Sequence, residues 1–588
     1  MTAARSITVG AATPTRAPLT DRLLRSWLRC RRRAWLDRHG PLHRRQWNAH
    51  RALALEEQLR WFQQLLPQRP GHGEEACRRG DAGVIGLRLC GDLALPGPAA
   101  ALPLQAHPPL LQRVEGHSRW GGYAYRPVLA RQGRRLTREH RLQLALWGNL
   151  LAAHQQGPVP QGLALGRGER GLEREPLPLG APLQRQLQDA LQRLAGDLQR
   201  PQPPALVNDR RKCVLCGWRS LCDAEATAEG HLSEVSGIGG KRRDLLLDQG
   251  ITSLSELAAA DPQQLAAALA VHGEQHREVA AQLVAQARVQ ASGLPHRRGA
   301  DGTAAAVGAA VPGPLLPELQ TAAGVLIYDI ESDPDVRDDF LHGILRIDRD
   351  AGGHWPLPAP LLSQAGQPPA AEYPDPAGAA EAAAASGFPA HPLVQWNGLD
   401  HPAADAGAAQ AGILLADAPY HPFLALQEHG ERRLWRRLQA LLHRYPDRPL
   451  LHYGETEAIS LLRLAERMGA GEAERQRLRR RLLDVHQRLR QHWLLPVNSY
   501  GLKAVAAWQG FRWSQSGVDG ARCLLWWRQW RRDRGAQLPA GRSTQRRGRQ
   551  QLQRIFRYNR DDCLATWWVT CWLLERDRGE GAASERRD

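Results

Sequence analysis

The chain has 588 residues, 43% of them hydrophobic, which excludes global disorder and suits three or four units of roughly 150 residues each. Lys and Arg number 78 against 60 Asp and Glu, a net charge of +18, the electrostatic footprint of a polyanionic partner such as DNA or RNA. No apolar run approaches the roughly 18 residues of a membrane helix, and nine cysteines over this length exclude a disulfide scaffold. Only Lys212, Lys241 and Lys503 are lysines. The arginine excess, beside abundant Ala, Gly and Pro, also reads as GC-rich coding usage, so a merely solvated basic surface stays open.

In chain order, residues 1–18 read as a disordered tail without a secretory core. Residues 19–225 mix amphipathic helices with apolar runs. A basic helix there, LLRSWLRCRRRAWL, carries Cys30. The run Gly83–Leu95 reads as a buried strand holding Cys90 and Asp92, Tyr125–Arg131 as a further strand, and RLQLALW as a helix with Gln143 and Trp147. Residues 226–292 are helical with one glycine-rich turn, and 293–320 form a linker. A last domain spans 321–576, with irregular stretches at 351–411 and 531–549, and 577–588 is a second tail.

Cys213, Cys216 and Cys222 form C-x2-C-x5-C. Two cysteines three apart hold one metal centre from a single turn, and a third completes a face. Four thiolates are needed, and Cys30 is the best fourth, ahead of Cys77 and Cys90. An iron–sulfur cluster, zinc and free buried thiols are all open on spacing alone. The early Cys and late C-x2-C-x5-C resemble the iron–sulfur RecB-like nucleases of the PD-(D/E)XK superfamily. His50 stands where that family has a helical His, Gly91-Asp92 where it has a metal-binding Asp, and Gln143 with Trp147 where it has a Q-x-x-x-Y helix. The resemblance implies a 4Fe-4S cluster on Cys30, Cys213, Cys216 and Cys222, with Zn2+ as the alternative, stapling the domain's two ends. The family's Glu-x-Lys pair falls on Leu129 and Arg131. Leucine cannot bind Mg2+ and arginine does not shed a proton near neutral pH, so the domain is expected to keep fold and cluster without metal-dependent cleavage. Glu115 or Glu139 are the acids available if the strand lies elsewhere.

Ser236-Gly237-Ile238-Gly239-Gly240-Lys241 runs into a helical pattern and is followed by a second phrase, Gln249–Leu257. Gly237 and Gly239 let backbone approach a phosphate, amides at the helix start face it, and Lys241 and Arg242 add charge. The segment resembles helix-hairpin-helix modules, which bind nucleic-acid backbones without reading bases. A spacer hairpin is the other reading.

In the last domain, Gly324-Val-Leu-Ile-Tyr-Asp-Ile-Glu is an apolar strand whose Asp329 and Glu331 share a face. Two acids so placed repel and lose hydration, a conflict that a divalent cation resolves. Leu450-Leu-His-Tyr-Gly-Glu-Thr-Glu457 reads as a strand followed by a helix over Ala458–Met468, with Glu457 near the helix start. Arg557 to Ala565 opens a last helix on which Tyr558 and Asp562 are i and i+4. D-x-E, a later acid and Y-x-x-x-D together resemble the DEDD nucleases of the RNase H-like superfamily, in the Tyr version of the YprB-type branch. The departure is Glu457, where the pattern has Asp. The resemblance implies that Asp329, Glu331, Glu457 and Asp562 hold two Mg2+ or Mn2+ ions about 3.5–4 Å apart, while Tyr558 orients water. Trp526, Trp527 and Trp530 suit base stacking or, more simply, a core.

The expected architecture is thus multidomain α/β: a restriction-endonuclease-type RecB-like domain, a small helical hairpin module and an RNase H-like domain. The expected activity is a cytoplasmic, metal-dependent nuclease acting on DNA or RNA, a 3′-5′ exonuclease in its C-terminal domain. A non-catalytic nucleic-acid-binding scaffold is the alternative. No membrane partner is expected, and protein partners are unspecified.

Overall fold

The computed structural model describes residues 17–93, 102–131, 133, 135–168, 171–207, 210–298, 314–356, 418–426, 430–515, 517–535 and 542–584. Most of the expected N-terminal tail, the centre of the expected linker and most of the 351–411 stretch lie outside them. The chain divides into two compact units after Glu225.

In the first unit a six-stranded sheet runs in the order Gly71–His72, Gly83–Ile85, Leu110–Ser118, Gly121–Ala130, Gln161–Gly168, Gly171–Pro178. Gly121–Ala130 pairs parallel with Gln161–Gly168, a pairing that requires a crossover. The crossover is the helix Arg138–Gln155, started by a Thr137–His140 capping box and buried through Leu142, Leu146, Trp147 and Leu150. The Gly83–Leu95 run is not one strand. Gly86 takes φ +72 and breaks it, so Leu89–Leu93 joins Leu102–Ala106 and Leu19–Thr20 in a separate sheet. Alternation along that strand buries Leu89 and Leu93 and leaves Cys90 exposed, which corrects the expectation of a buried cysteine. Indole N–H groups fasten the start of the unit to its end: Trp27 Nε1 donates to Asp197 Oδ2 at 2.7 Å and Trp218 Nε1 to Asp37 Oδ1 at 2.9 Å.

The second unit begins with helices Gly240–Asp248, Leu254–Ala259, Pro262–Ala270, Glu274–Arg277 and Ala280–Ser292. They close over a core that includes Leu232, Val235, Leu246, Leu257, Leu283 and Val284. Part of the expected linker is structured: His296–Arg297 pairs antiparallel with Trp493–Leu494. Gln286 Nε2 adds a bond to Leu495 O at 2.8 Å, so the helical module is joined to the domain that follows by backbone and side chain alike.

That domain is built on five strands: β1 (Gly324–Asp333), β2 (Asp338–Asp348), β3 (Tyr420–Leu424), β4 (Leu450–His452) and β5 (Leu482–Asp484), in the spatial order β3-β2-β1-β4-β5. β2 is antiparallel to β1 and β3, while β4 pairs parallel with β1 and β5. The sheet is mixed and β1 is central. Its Val325 and Ile327 enter one core and Leu326 and Tyr328 the other, so both faces are covered. The final helix, Arg542–Ser584, buries Trp567, Val569, Cys571 and Leu573.

Three helix boundaries depart from the sequence reading. The segment expected as irregular at 531–549 is helical on both sides of 536–541, within Gly520–Gly535 and Arg542–Ser584, because its Arg and Gln residues are good helix formers. The last helix therefore starts well before Arg557, and Tyr558 and Asp562 sit in its interior. The helix expected from Ala458 begins at Glu455, which puts Glu457 in its first turn. Trp527 is fully buried and stacks between Phe340 at 4.6 Å and Trp530 at 5.0 Å, so these rings are packing, not a platform for bases.

Candidate functional site

Period-two geometry puts Asp329 and Glu331 on one face of β1 while Tyr328 turns into the opposite core, its hydroxyl 2.6 Å from His342 Nδ1. The final helix crosses that acidic face and brings Asp562 to it. Carboxylate oxygens of Asp329, Glu331 and Asp562 all lie within 4.8 Å of one another. Burial first, and then mutual repulsion, pushes Asp329 and Glu331 well above the usual carboxylate range. Burial lifts Asp562 to about 6, against the hydrogen bond from Trp513, the charge of Lys503 and the hydrogen bond from Tyr558. The cluster is under electrostatic stress that a cation relieves, which is how residues that fit a divalent metal behave.

Glu457 stands outside the 4.8 Å group. Burial lifts it to about 7, with the Asp484 and Asp562 charges adding to the rise, and its Oε2 is buried without a hydrogen-bond partner. Asp484 is committed elsewhere: its Oδ1 caps the helix Val485–His492 and accepts from Gly454 N at 3.1 Å.

The acids are held by neighbours that motif reading did not single out. Trp513 Nε1 donates to Asp562 Oδ1 at 2.6 Å, and Asn559 Nδ2 donates to Asp329 Oδ2 at 2.6 Å. Asp561, next in sequence, accepts instead from the Ser514 amide and hydroxyl, which explains why only the second acid of the pair reaches the cluster. Lys503 Nζ lies 4.8 Å from the Tyr558 ring centre and donates to Val518 O at 2.7 Å. Two sequence signals mark Lys503: the scarcity of lysine, and its place in the Ser499-Tyr500-Gly501-Leu502-Lys503 segment between the acidic motifs. Nothing in the local sequence marks Trp513.

At the hairpin, Gly237 takes φ +93, a conformation that favours glycine. Gly239 is the N-cap of Gly240–Asp248 and offers no capping side chain, so the helix-start amides have no side-chain acceptor at that position. Lys241 is exposed, whereas Arg242 Nη1 donates to Gly237 O at 2.7 Å and is partly spent on holding the turn.

In the first unit, Cys30 ends one helix and caps the next, its Sγ accepting from Arg33 N at 3.4 Å. Burial raises Cys30, and lifts Cys213 and Cys222 to about 11. The Cys216 charge adds to all three, and Cys30 in turn adds to Cys213 and Cys222, but no three of the four sulfurs lie within 4.8 Å of one another.

The acids of this unit are arranged differently. Leu129 is core, and the buried Arg131 pairs with Glu173 and lies 3.5 Å from Glu175. Asp92 is exposed, in a different sheet from Leu129. Glu139 pairs with Arg25 and Arg29, and Glu115 is exposed. Trp147 Nε1 donates to Asp21 Oδ2 at 2.9 Å, Gln143 is buried, and His50 lies in the first turn of Ala49–Leu65. Among the described residues no set of three ligand atoms within 4.8 Å forms around Asp92.

Among the described residues no helix is long and apolar enough to cross a membrane. The RNase_H superfamily matches residues 404–574, a span that includes Glu457, Tyr558 and Asp562 but not Asp329 or Glu331. The SAM-like helix-hairpin-helix tandem matches residues 229–269. No curated protein matches the chain. A solved structure titled "Crystal structure of SSO0001" is 11% identical over 36% of this chain and 89% of its own, with a TM-score of 0.23, too slight a likeness to argue from. The second unit therefore carries a helix-hairpin-helix module and an RNase H-like domain, a pairing that points to nucleic-acid processing by a nuclease.

Proposed function

We propose that the protein is a metal-dependent nuclease whose working site is the C-terminal acidic cluster, removing nucleotides from the 3′ ends of DNA or RNA. The observation that carries this reading is the convergence of Asp329, Glu331 and Asp562 from a central strand and a crossing helix. These three carboxylates, with Glu457 at the edge, would hold two Mg2+ or Mn2+ ions. Bound there, such ions supply activation of water and stabilisation of the leaving 3′ oxygen. The chain's own groups do the rest. Burial keeps the Tyr558 hydroxyl protonated and its proton bonds Asp562, so its oxygen is left to accept from, and orient, a water beside that acid. Lys503 adds positive charge where a phosphate would sit. The Gly237–Gly239 turn and Lys241 grip backbone phosphates, with Arg242 in a smaller share.

In the first unit, Cys30, Cys213, Cys216 and Cys222 would hold a 4Fe-4S cluster, with Zn2+ the alternative, in a RecB-like domain that no longer cleaves. Free thiols in that number suit a reducing, cytoplasmic setting. Anaerobically purified protein should be brown, with broad thiolate-to-iron absorption near roughly 400 nm; colourless protein with stoichiometric zinc contradicts the cluster. A binding-only scaffold is the second reading of the whole chain, and the position of Glu457 outside the triad is what favours it. End-labelled single- and double-stranded DNA and RNA, with and without Mg2+ or Mn2+, separate the two. Stepwise shortening from the 3′ end supports the proposal, and tight binding without cleavage in either metal supports the scaffold.

A further inference from the structure

Asn559 is fully buried on the final helix, between Tyr558 and the acid pair, and its amide bonds Asp329 and Tyr420 and also reaches Glu331. Nδ2 donates to Asp329 Oδ2 at 2.6 Å, and Oδ1 accepts from the Tyr420 hydroxyl on β3 at 2.7 Å. The orientation is fixed by chemistry. Once Asp329 is ionised, as a metal ligand must be, its carboxylate only accepts, so the NH2 end faces it and the Tyr420 hydroxyl donates to the carbonyl end.

The sheet makes room for this amide. Gly343 on β2 is paired directly with Asp329. A Cβ at 343 would lie 1.7 Å from Asn559 Oδ1, 2.9 Å from Asn559 Cγ and 2.9 Å from the Tyr420 hydroxyl. Three strands thus cooperate around one side chain: β1 supplies the acid, β2 the gap and β3 the hydroxyl. Gly343 is there for space, since it is not among the residues of positive φ.

We infer that Asn559 is the positioning residue of the acidic site: held by Tyr420 in the space left by Gly343, it pins Asp329 Oδ2 and so presents the other oxygen to the metal. This rests on the metal-site reading above and deepens it. A carboxylate whose spare oxygen is tied by an amide keeps its ligating oxygen aimed without a rotamer search. Such outer partners are worth 10–100-fold in metal affinity or activity. The amide also offsets part of the repulsion among the acids when no ion is bound, because its hydrogen bond lowers Glu331 without bringing a charge.

The test uses the full chain and Mn2+ itself as probe. Binding is followed by calorimetry, cleavage is measured against Mg2+ concentration, and melting temperature is recorded for each protein. Asn559→Leu removes the amide's bonds to Asp329, Glu331 and Tyr420 at similar volume, and Gly343→Ala displaces the amide without touching any acid. Both should weaken Mn2+ binding by about 10–100-fold and raise the Mg2+ needed for half-maximal rate, with a deficit that narrows as Mg2+ is increased. Tyr420→Phe should shift both in the same direction by less, and Asp329→Ala is the reference for loss of a ligand. Should Asn559→Leu fail to fold, Gly343→Ala and Tyr420→Phe carry the test. A lower melting temperature with unchanged Mn2+ affinity and Mg2+ half-saturation overturns the positioning role, because packing alone gives that result. If Asp329→Ala also binds Mn2+ like the parent protein, the metal site itself is wrong and this inference falls with it.

Discussion

Asp92 and Asp329 look alike in sequence, since each follows an apolar run that ends in a strand. Their surroundings differ. Asp329 lies beside two further acids, an amide donor and, through Asp562, an indole donor. Asp92 is exposed, and the positions expected to complete its site are a core leucine and an arginine ion-paired to Glu173. An acid at a strand end acquires metal chemistry only when other elements deliver both its co-ligands and the donors that hold it. One such set is assembled in the second unit, and none forms around Asp92 among the described residues.

The largest expected effect breaks the better-furnished site. Asp329→Ala, Glu331→Ala and Asp562→Ala each remove a ligand from a site whose ions would do most of the charge stabilisation, and each should cost about 10² or more in cleavage rate. Asp92→Ala should leave the rate where it was. Next comes Glu457→Asp. A loss of rate shows a site built around the longer acid, whereas a gain shows that the shorter acid restores the family's geometry. Tyr558→Phe should cost less than any triad substitution, because the carboxylates stay and only water orientation suffers.

A thermodynamic prediction sharpens the same contrast. Asp329, Glu331, Glu457 and Asp562 all have carboxyls raised by burial, so the folded state binds protons more tightly than the unfolded state. For metal-free protein, stability should therefore fall as pH rises through about 6 to 7, where Asp562 and Glu457 ionise. Mg2+ or Mn2+ should remove that fall, and Asp562→Asn should lessen it, since Asp329, Glu331 and Glu457 remain. Melting curves across pH, with and without metal, check the sign. The smallest effects belong to the hairpin. Lys241→Ala should lower the salt slope of nucleic-acid binding by about one if it contacts a phosphate. Arg242→Ala should lower it by less, since that side chain is partly engaged by Gly237 O.

Much of the acidic site was legible because each half is a local pattern. D-x-E shares a strand face by period two, and Tyr558 and Asp562 share a helix face by i, i+4, so each pair needs no knowledge of the rest. That the two pairs meet depends on β1 being central and on the final helix crossing it. Asn559 was not legible, because its role needs Gly343 and Tyr420 from two other strands. The boundaries that went astray have local causes too. Gly86 divides an apolar run that looked continuous, and an arginine-rich stretch that looked irregular extends two helices.

The central claim is that phosphodiester cleavage resides in the second unit. It is tested most directly by one Mn2+-dependent assay on a 3′-labelled strand, comparing the parent protein with Asp329→Ala and Asp92→Ala. Cleavage that disappears with Asp329→Ala and persists with Asp92→Ala is the predicted result. Cleavage that survives Asp329→Ala and disappears with Asp92→Ala contradicts it and moves the working site to the first unit.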